Sequence, residues 1–145
     1  MNNNTIISLI NKLIDKTKNN SIHWKKYSSS KIELKSLPPT PFNNLILPIA
    51  DSYVYQIDKN NSFICSYEDG IFALLLYTSS LLGSYVQLRI QTQNSPNSII
   101  FASSDTKDEN KINEAAQLKR LYNLVNTSQT SFEIDTFIDD FLKSE

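Results

Sequence analysis

Apolar residues near the start of the chain, Ile6, Ile7, Leu9, Ile10, Leu13 and Ile14, recur at spacings of three and four. That period puts them on one face of a helix running from about Thr5 to Lys18. Asn3, Asn4 and Thr5 offer N-cap oxygens ahead of it, and Asn19-Asn20 tolerates the left-handed backbone that ends many helices. Ile22, Trp24 and Lys26 then alternate with His23, Lys25 and Tyr27, the two-residue period of a short strand that turns Trp24 inward.

Ser28-Ser29-Ser30 and prolines at 38, 39, 41 and 48 disfavour a helix or central strand in the next segment. A short edge strand at Lys31–Lys35 is allowed, and Phe42, Leu45, Ile46 and Leu47 predict an ordered loop folded back on the body. From Asp51 onward the pattern is β. Tyr53, Tyr55 and Ile57 alternate with Val54 and Gln56, Asp58-Lys59-Asn60-Asn61 makes a turn, and Phe63, Cys65 and Tyr67 share one strand face. After Glu68-Asp69-Gly70, the unbroken apolar run Ile71–Tyr77 predicts a strand covered on both faces. Ser79–Ser84, with Gly83, is a loop. Val86, Leu88, Ile90 and Thr92 alternate with Gln87, Arg89, Gln91 and Gln93, which predicts a half-exposed strand. Asn94-Ser95-Pro96-Asn97 turns into a last strand at Ser98–Ala102. Connections this short exclude crossover helices and imply an antiparallel meander.

The end is helical again. Ile112, Ala115, Leu118, Leu121, Tyr122 and Val125 stripe a helix from about Lys111 to Asn126. Thr127–Thr130 reads as a break, and Ile134, Phe137, Ile138, Phe141 and Leu142 stripe a second helix capped near Ser131 or Asp135. The sum is one α+β domain over residues 1–145: an antiparallel sheet of about five strands, with an N-terminal helix and two C-terminal helices on one face.

Composition narrows the chemistry. One histidine (His23), one cysteine (Cys65) and two glycines (Gly70, Gly83) leave no glycine-rich phosphate loop and no Cys/His zinc cluster within the chain. No cofactor or metal is therefore expected. A single cysteine excludes an intrachain disulfide and fits a reducing compartment. The N-terminus lacks a signal-peptide pattern, and the seven-residue run Ile71–Tyr77 is far short of the roughly twenty residues a membrane helix needs, so a cytoplasmic location is expected. Net charge is −1, but its distribution is uneven. Residues 1–37 hold seven lysines against Asp15 and Glu33, whereas residues 105–145 hold nine acids against five bases.

Cys65, mid-strand with no cation beside it in sequence, reads as core; a nucleophilic role needs His23 brought to it. His23-Trp24-Lys25-Lys26-Tyr27 interleaves basic and aromatic side chains as single-strand nucleic-acid binders do, although strand alternation sends Trp24 inward. Asp135 and Asp139 lie one helical turn apart. Together with Glu133 and Asp140 they form a solvated acidic face suited to a basic partner. Five tyrosines in the β region offer aromatic interface area.

Leu13-Ile14-Asp15-Lys16-Thr17-Lys18-Asn19-Asn20 with Ile22-His23-Trp24-Lys25 resembles the opening of small proteins of low-GC bacteria and their phages or mobile elements. Leu118-Lys119-Arg120-Leu121-Tyr122-Asn123-Leu124-Val125 with Phe137-Ile138-Asp139-Asp140-Phe141-Leu142 resembles their close. That resemblance implies a helix–sheet–helix fold and no assigned activity. The reading favoured is non-enzymatic protein–protein interaction, concretely an accessory or inhibitory protein from a phage or mobile element that masks a host protein. The candidate surfaces are the polar sheet face (Tyr53, Tyr55, Gln87, Arg89, Gln91) and the acidic last helix (Asp135, Asp139, Asp140). The alternatives are a small hydrolase or ligand sensor using His23, Cys65 or the carboxylates, and a nucleic-acid binder acting through the basic N-terminal segment.

Overall fold

A computed structural model describes residues 3–35, 37 and 54–144 of the chain. Helix α1 spans Asn3–Lys18, starting two residues ahead of the expected Thr5. Its Ile6, Ile10, Leu13 and Ile14 are buried while Asn4, Lys12 and Lys18 face solvent, as the period dictates. Asn20 takes φ 60°, and the Ser21 amide returns to the Lys16 carbonyl at 2.9 Å. A left-handed residue with that hydrogen bond satisfies carbonyls the last turn would leave open.

Only Lys25–Lys26 of the expected Ile22–Tyr27 strand pairs, as β1, and Tyr27–Ser29 is already a 3-10 turn. The other strands are β2 (Gln56–Ile57), β3 (Phe63–Tyr67), β4 (Gly70–Ser79), β5 (Gly83–Thr92) and β6 (Ile99–Ser103). All pairings are antiparallel in the order β1-β3-β4-β5-β6, and β2 also pairs with β4. Because Ile57 pairs with Tyr77 and Phe63 with Leu74, β2 and β3 lie end to end along one edge of β4. The turn between them is capped by Asp58, whose side chain accepts the Asn60 and Asn61 amides. The buried Ser62 hydroxyl then accepts the Leu76 amide at 2.8 Å and donates to the Asp58 carbonyl at 2.7 Å. It completes the ladder where strand pairing lapses. No strand forms at Lys31–Lys35. The expected fold-back of Phe42, Leu45, Ile46 and Leu47, and Tyr53 at the head of its expected strand, lie outside the described residues.

The C-terminal end departs most from expectation. Ile112–Lys143 is one helix, α2, with no break at Thr127–Thr130. No glycine or proline interrupts residues 126–131. The Ser128 and Thr130 hydroxyls donate to the Leu124 and Asn126 carbonyls, both at 2.9 Å, so these polar residues are accommodated inside the helix.

Both helices cover one face of the sheet. There Ile10, Leu13, Trp24, Phe63, Leu74, Leu88, Leu118 and Leu121 belong to one core cluster. The opposite face was expected to be covered at β4 and half-exposed at β5, and it is covered at both. Tyr27 and Leu34, with Ile32 and Leu37 beside them, pack over Ile64, Ala73, Leu75 and Tyr77 in a second cluster.

Candidate functional site

Burial of that second face revises the first candidate surface. Gln87 is 8% exposed and Arg89 5%, so neither presents a docking surface. Arg89 pairs across the ladder with Ala73, whose small side chain leaves it room. Its guanidinium donates to Gln87 Oε1 at 3.0 Å and to Ser98 Oγ at 3.1 Å. Gln91 Oε1 accepts the Lys35 amide at 2.9 Å, while the Lys35 carbonyl accepts the Ser98 amide and hydroxyl. These side chains therefore supply hydrogen bonds to an irregular covering segment whose backbone has no ladder of its own. Tyr55 is half-buried, its ring edge-on to Tyr85 at 4.8 Å, and Tyr85 stacks on Tyr77 at 5.0 Å. Burial, with Asp105 nearby, pushes the Tyr85 hydroxyl up to about 12.

His23 and Cys65 do meet, but not as a catalytic pair. Cys65 is fully buried, its thiol directed to the Ser66 carbonyl at 3.9 Å with the His23 backbone near enough to act on it, while the His23 residue itself is exposed. Burial raises the thiol above its usual range, outweighing the opposite effect of the His23 backbone. A protonated, inaccessible thiol is a poor nucleophile at neutral pH. Trp24 is also buried, as expected; its indole N–H donates to Thr17 Oγ1 at 3.0 Å, and Thr17 donates to the Leu13 carbonyl. Tyr27 is buried too, which removes both aromatics of the basic segment from base stacking. Among the described residues no three His, Cys, Asp or Glu side chains group as metal ligands.

The remaining candidate, the acidic end of the last helix, is transformed by the continuity of α2. Each residue of an α-helix advances about 100°, so the nine residues from Val125 to Ile134 make about two and a half turns. The stripe Leu118, Leu121, Tyr122, Val125 faces the core. Half a turn later in phase, Ile134, Phe137, Ile138, Phe141 and Leu142 therefore point away from the body. They are correspondingly bare, with Phe137 72% and Phe141 70% exposed, where packing on the sheet was expected. Ile112, at the other end of the helix, was also expected in the core and is exposed.

Residues 130–143 form an overhang of about 21 Å at 1.5 Å per residue, with no buried residue in it. It leaves the body at the β1 edge, where Gln129 Nε2 donates to the Trp24 carbonyl and Lys26 meets Glu133 at 2.6 Å. Asp135, Asp139 and Asp140 lie exposed along the overhang, Asp135 beside its apolar stripe and Asp139 and Asp140 on the face opposite it. An open recess of about 500 Å³ sits at its foot, lined by Ile22, His23, Trp24 and Phe132 among others. The overhang thus combines an exposed apolar stripe with acidic residues around the rest of its surface, the make-up of an amphipathic helix that lies in a groove.

The apolar stripe was legible in the sequence, and its direction was not. One signal was available: with no helix breaker between residues 126 and 131, two stripes half a turn out of phase cannot both face one body. Comparison with protein-family models, with curated proteins and with solved structures gives no match for this chain.

Proposed function

We propose that this chain is a non-enzymatic protein–protein interaction module that works through the overhanging half of α2. The observation that carries this reading is the outward stripe Ile134, Phe137, Ile138, Phe141, Leu142, set on a helix that the core holds only as far as Val125. Contiguous exposed apolar surface rimmed by polar residues marks interaction sites in otherwise ordinary domains. Phenylalanine side chains supply the anchoring area, and Asp135, Asp139 and Asp140 select a partner with basic groups around its groove. Occupying such a groove masks it, which accords with the accessory or inhibitory role drawn from the sequence. Burial of Trp24, Tyr27 and Cys65 weighs against the nucleic-acid and hydrolase alternatives.

The test compares wild type with the double variant Phe137→Ser, Phe141→Ser as immobilised baits at moderate salt. Proteins bound stoichiometrically by wild type and lost by the variant, with both baits folded by circular dichroism, are the expected result. Identical retention by the two baits would remove the helix from the function.

A further inference from the structure

We infer that the overhang of α2 docks into a groove on a second copy of this chain, reciprocally about a two-fold axis. Such a dimer presupposes that the overhang is the interaction element, and it names the partner. The groove lies between α1 and the sheet, with a volume of about 230 Å³. Leu9, Leu13, Ile22, Tyr67 and Phe72 make its apolar lining, and Lys12 and Lys16 add positive charge to it. Five of its seven lining residues come from residues 1–37, which carry seven lysines against two acids, and Tyr67 and Phe72 come from β3 and β4, with Glu68 and Asp69 in the turn between those strands; the overhang carries four acids against Lys143 alone. Opposite charges accompanying two apolar surfaces are the complementarity that favours one partner over others.

The overhang cannot occupy the groove of its own molecule, because α2 runs unbroken to Lys143 and turns the stripe away from the body. Pairing two overhangs stripe to stripe would instead leave Asp135, Asp139 and Asp140 facing no basic surface. Ile22 lines both the groove and the recess at the foot of the overhang, so donor and acceptor surfaces share one edge of the molecule. When one overhang crosses to a partner's groove at that edge, the partner's overhang returns along the first. Such an isologous arrangement closes at two copies.

The experiment is sedimentation equilibrium of the full chain and two charge-reversed variants. One is Asp135→Lys with Asp139→Lys and Asp140→Lys, the other Lys12→Glu with Lys16→Glu; circular dichroism and melting establish that both are folded. Wild type is expected to dimerise, each variant alone to dimerise at least tenfold more weakly, and an equimolar mixture of the two to recover association as a heterodimer. In that mixture both contacts are again between opposite charges. Three results would overturn the dimer: a wild type that stays monomeric, a dimer indifferent to the lysine reversals, or a mixture that fails to recover. The double variant Phe137→Ser, Phe141→Ser separates the two levels of interpretation. If wild type is monomeric yet another protein is captured by it and not by this variant, the overhang remains an interaction element with a different partner. If the variant matches wild type in association and in capture, the overhang is not one.

Discussion

Leu121 and Phe137 lie on the same helix, about four and a half turns apart, and both belong to clean apolar stripes. Only their phase differs. Leu121 is fully buried in the cluster with Ile10, Leu74 and Leu118, whereas Phe137 is 72% exposed. Leu121→Ala removes buried atoms and leaves a cavity, which costs about 2–5 kcal/mol. For a chain of 145 residues a mid-range loss of about 3 kcal/mol lowers the melting temperature by roughly 10 °C. Phe137→Ala removes little buried area, and alanine is the better helix former by roughly half a kcal/mol, so its expected effect lies within about 0.5 kcal/mol of zero. The assay is urea unfolding followed by circular dichroism, at several dilute concentrations to isolate the single chain from any association. Leu121→Ala should shift the midpoint with an unchanged slope, and Phe137→Ala should leave both where they are. A Phe137→Ala loss of about 2 kcal/mol or more, persisting on dilution, would mean that the distal stripe packs on its own body and that α2 bends back.

Ser62→Ala strands the Leu76 amide inside the sheet and should cost about 1–3 kcal/mol, read as a drop in the denaturation midpoint, whereas Ser66→Ala at an exposed position of β3 should cost almost nothing. Tyr85 and Tyr122 are pushed up to about 12, each chiefly by burial, and Asp105 and Asp58 add to it. Since unfolded tyrosines ionise near 10, the stability these two confer is fully present below about pH 10 and is lost as pH rises toward 12. An ultraviolet pH titration should show late-titrating tyrosines in the folded protein and none in denaturant; two tyrosines titrating normally at both sites would contradict the burial. Cys65 should resist a thiol reagent at neutral pH until the chain is unfolded, and modification at the rate of a free thiol would show that the His23–Cys65 junction opens in the native state.

Local rules read much of this molecule from its sequence. The α1 stripe, the Asn20 stop, the Asp58 turn and the inward Trp24 depend on neighbours within a few residues, and such interactions act before any tertiary contact forms. The strand alternation of Val86, Leu88 and Ile90 against Gln87, Arg89 and Gln91 was equally legible, and so was the meander of short connections. Periodicity identifies two faces of an element without saying what lies against each. On β5 the polar face was covered by Tyr27–Lys35 and Leu37, and the backbone groups of Lys35 use Gln91, Ser98 and, through Ser98, Arg89.

The candidate site turned on the same distinction. The acidic residues and the apolar stripe of the last fifteen residues were plain in the sequence, and their amphipathic character needs nothing beyond a helical period. Whether that stripe meets the core or the solvent depends on one geometric fact, the continuity of α2 through Thr127–Thr130. A break there would let the second stripe rotate toward the sheet, and an unbroken helix holds it half a turn away. Sequence determined which residues share a face. The tertiary structure alone decided which way each face looks, because a rigid helix anchored by Leu118, Leu121 and Val125 carries its orientation outward to residues that the core does not bury.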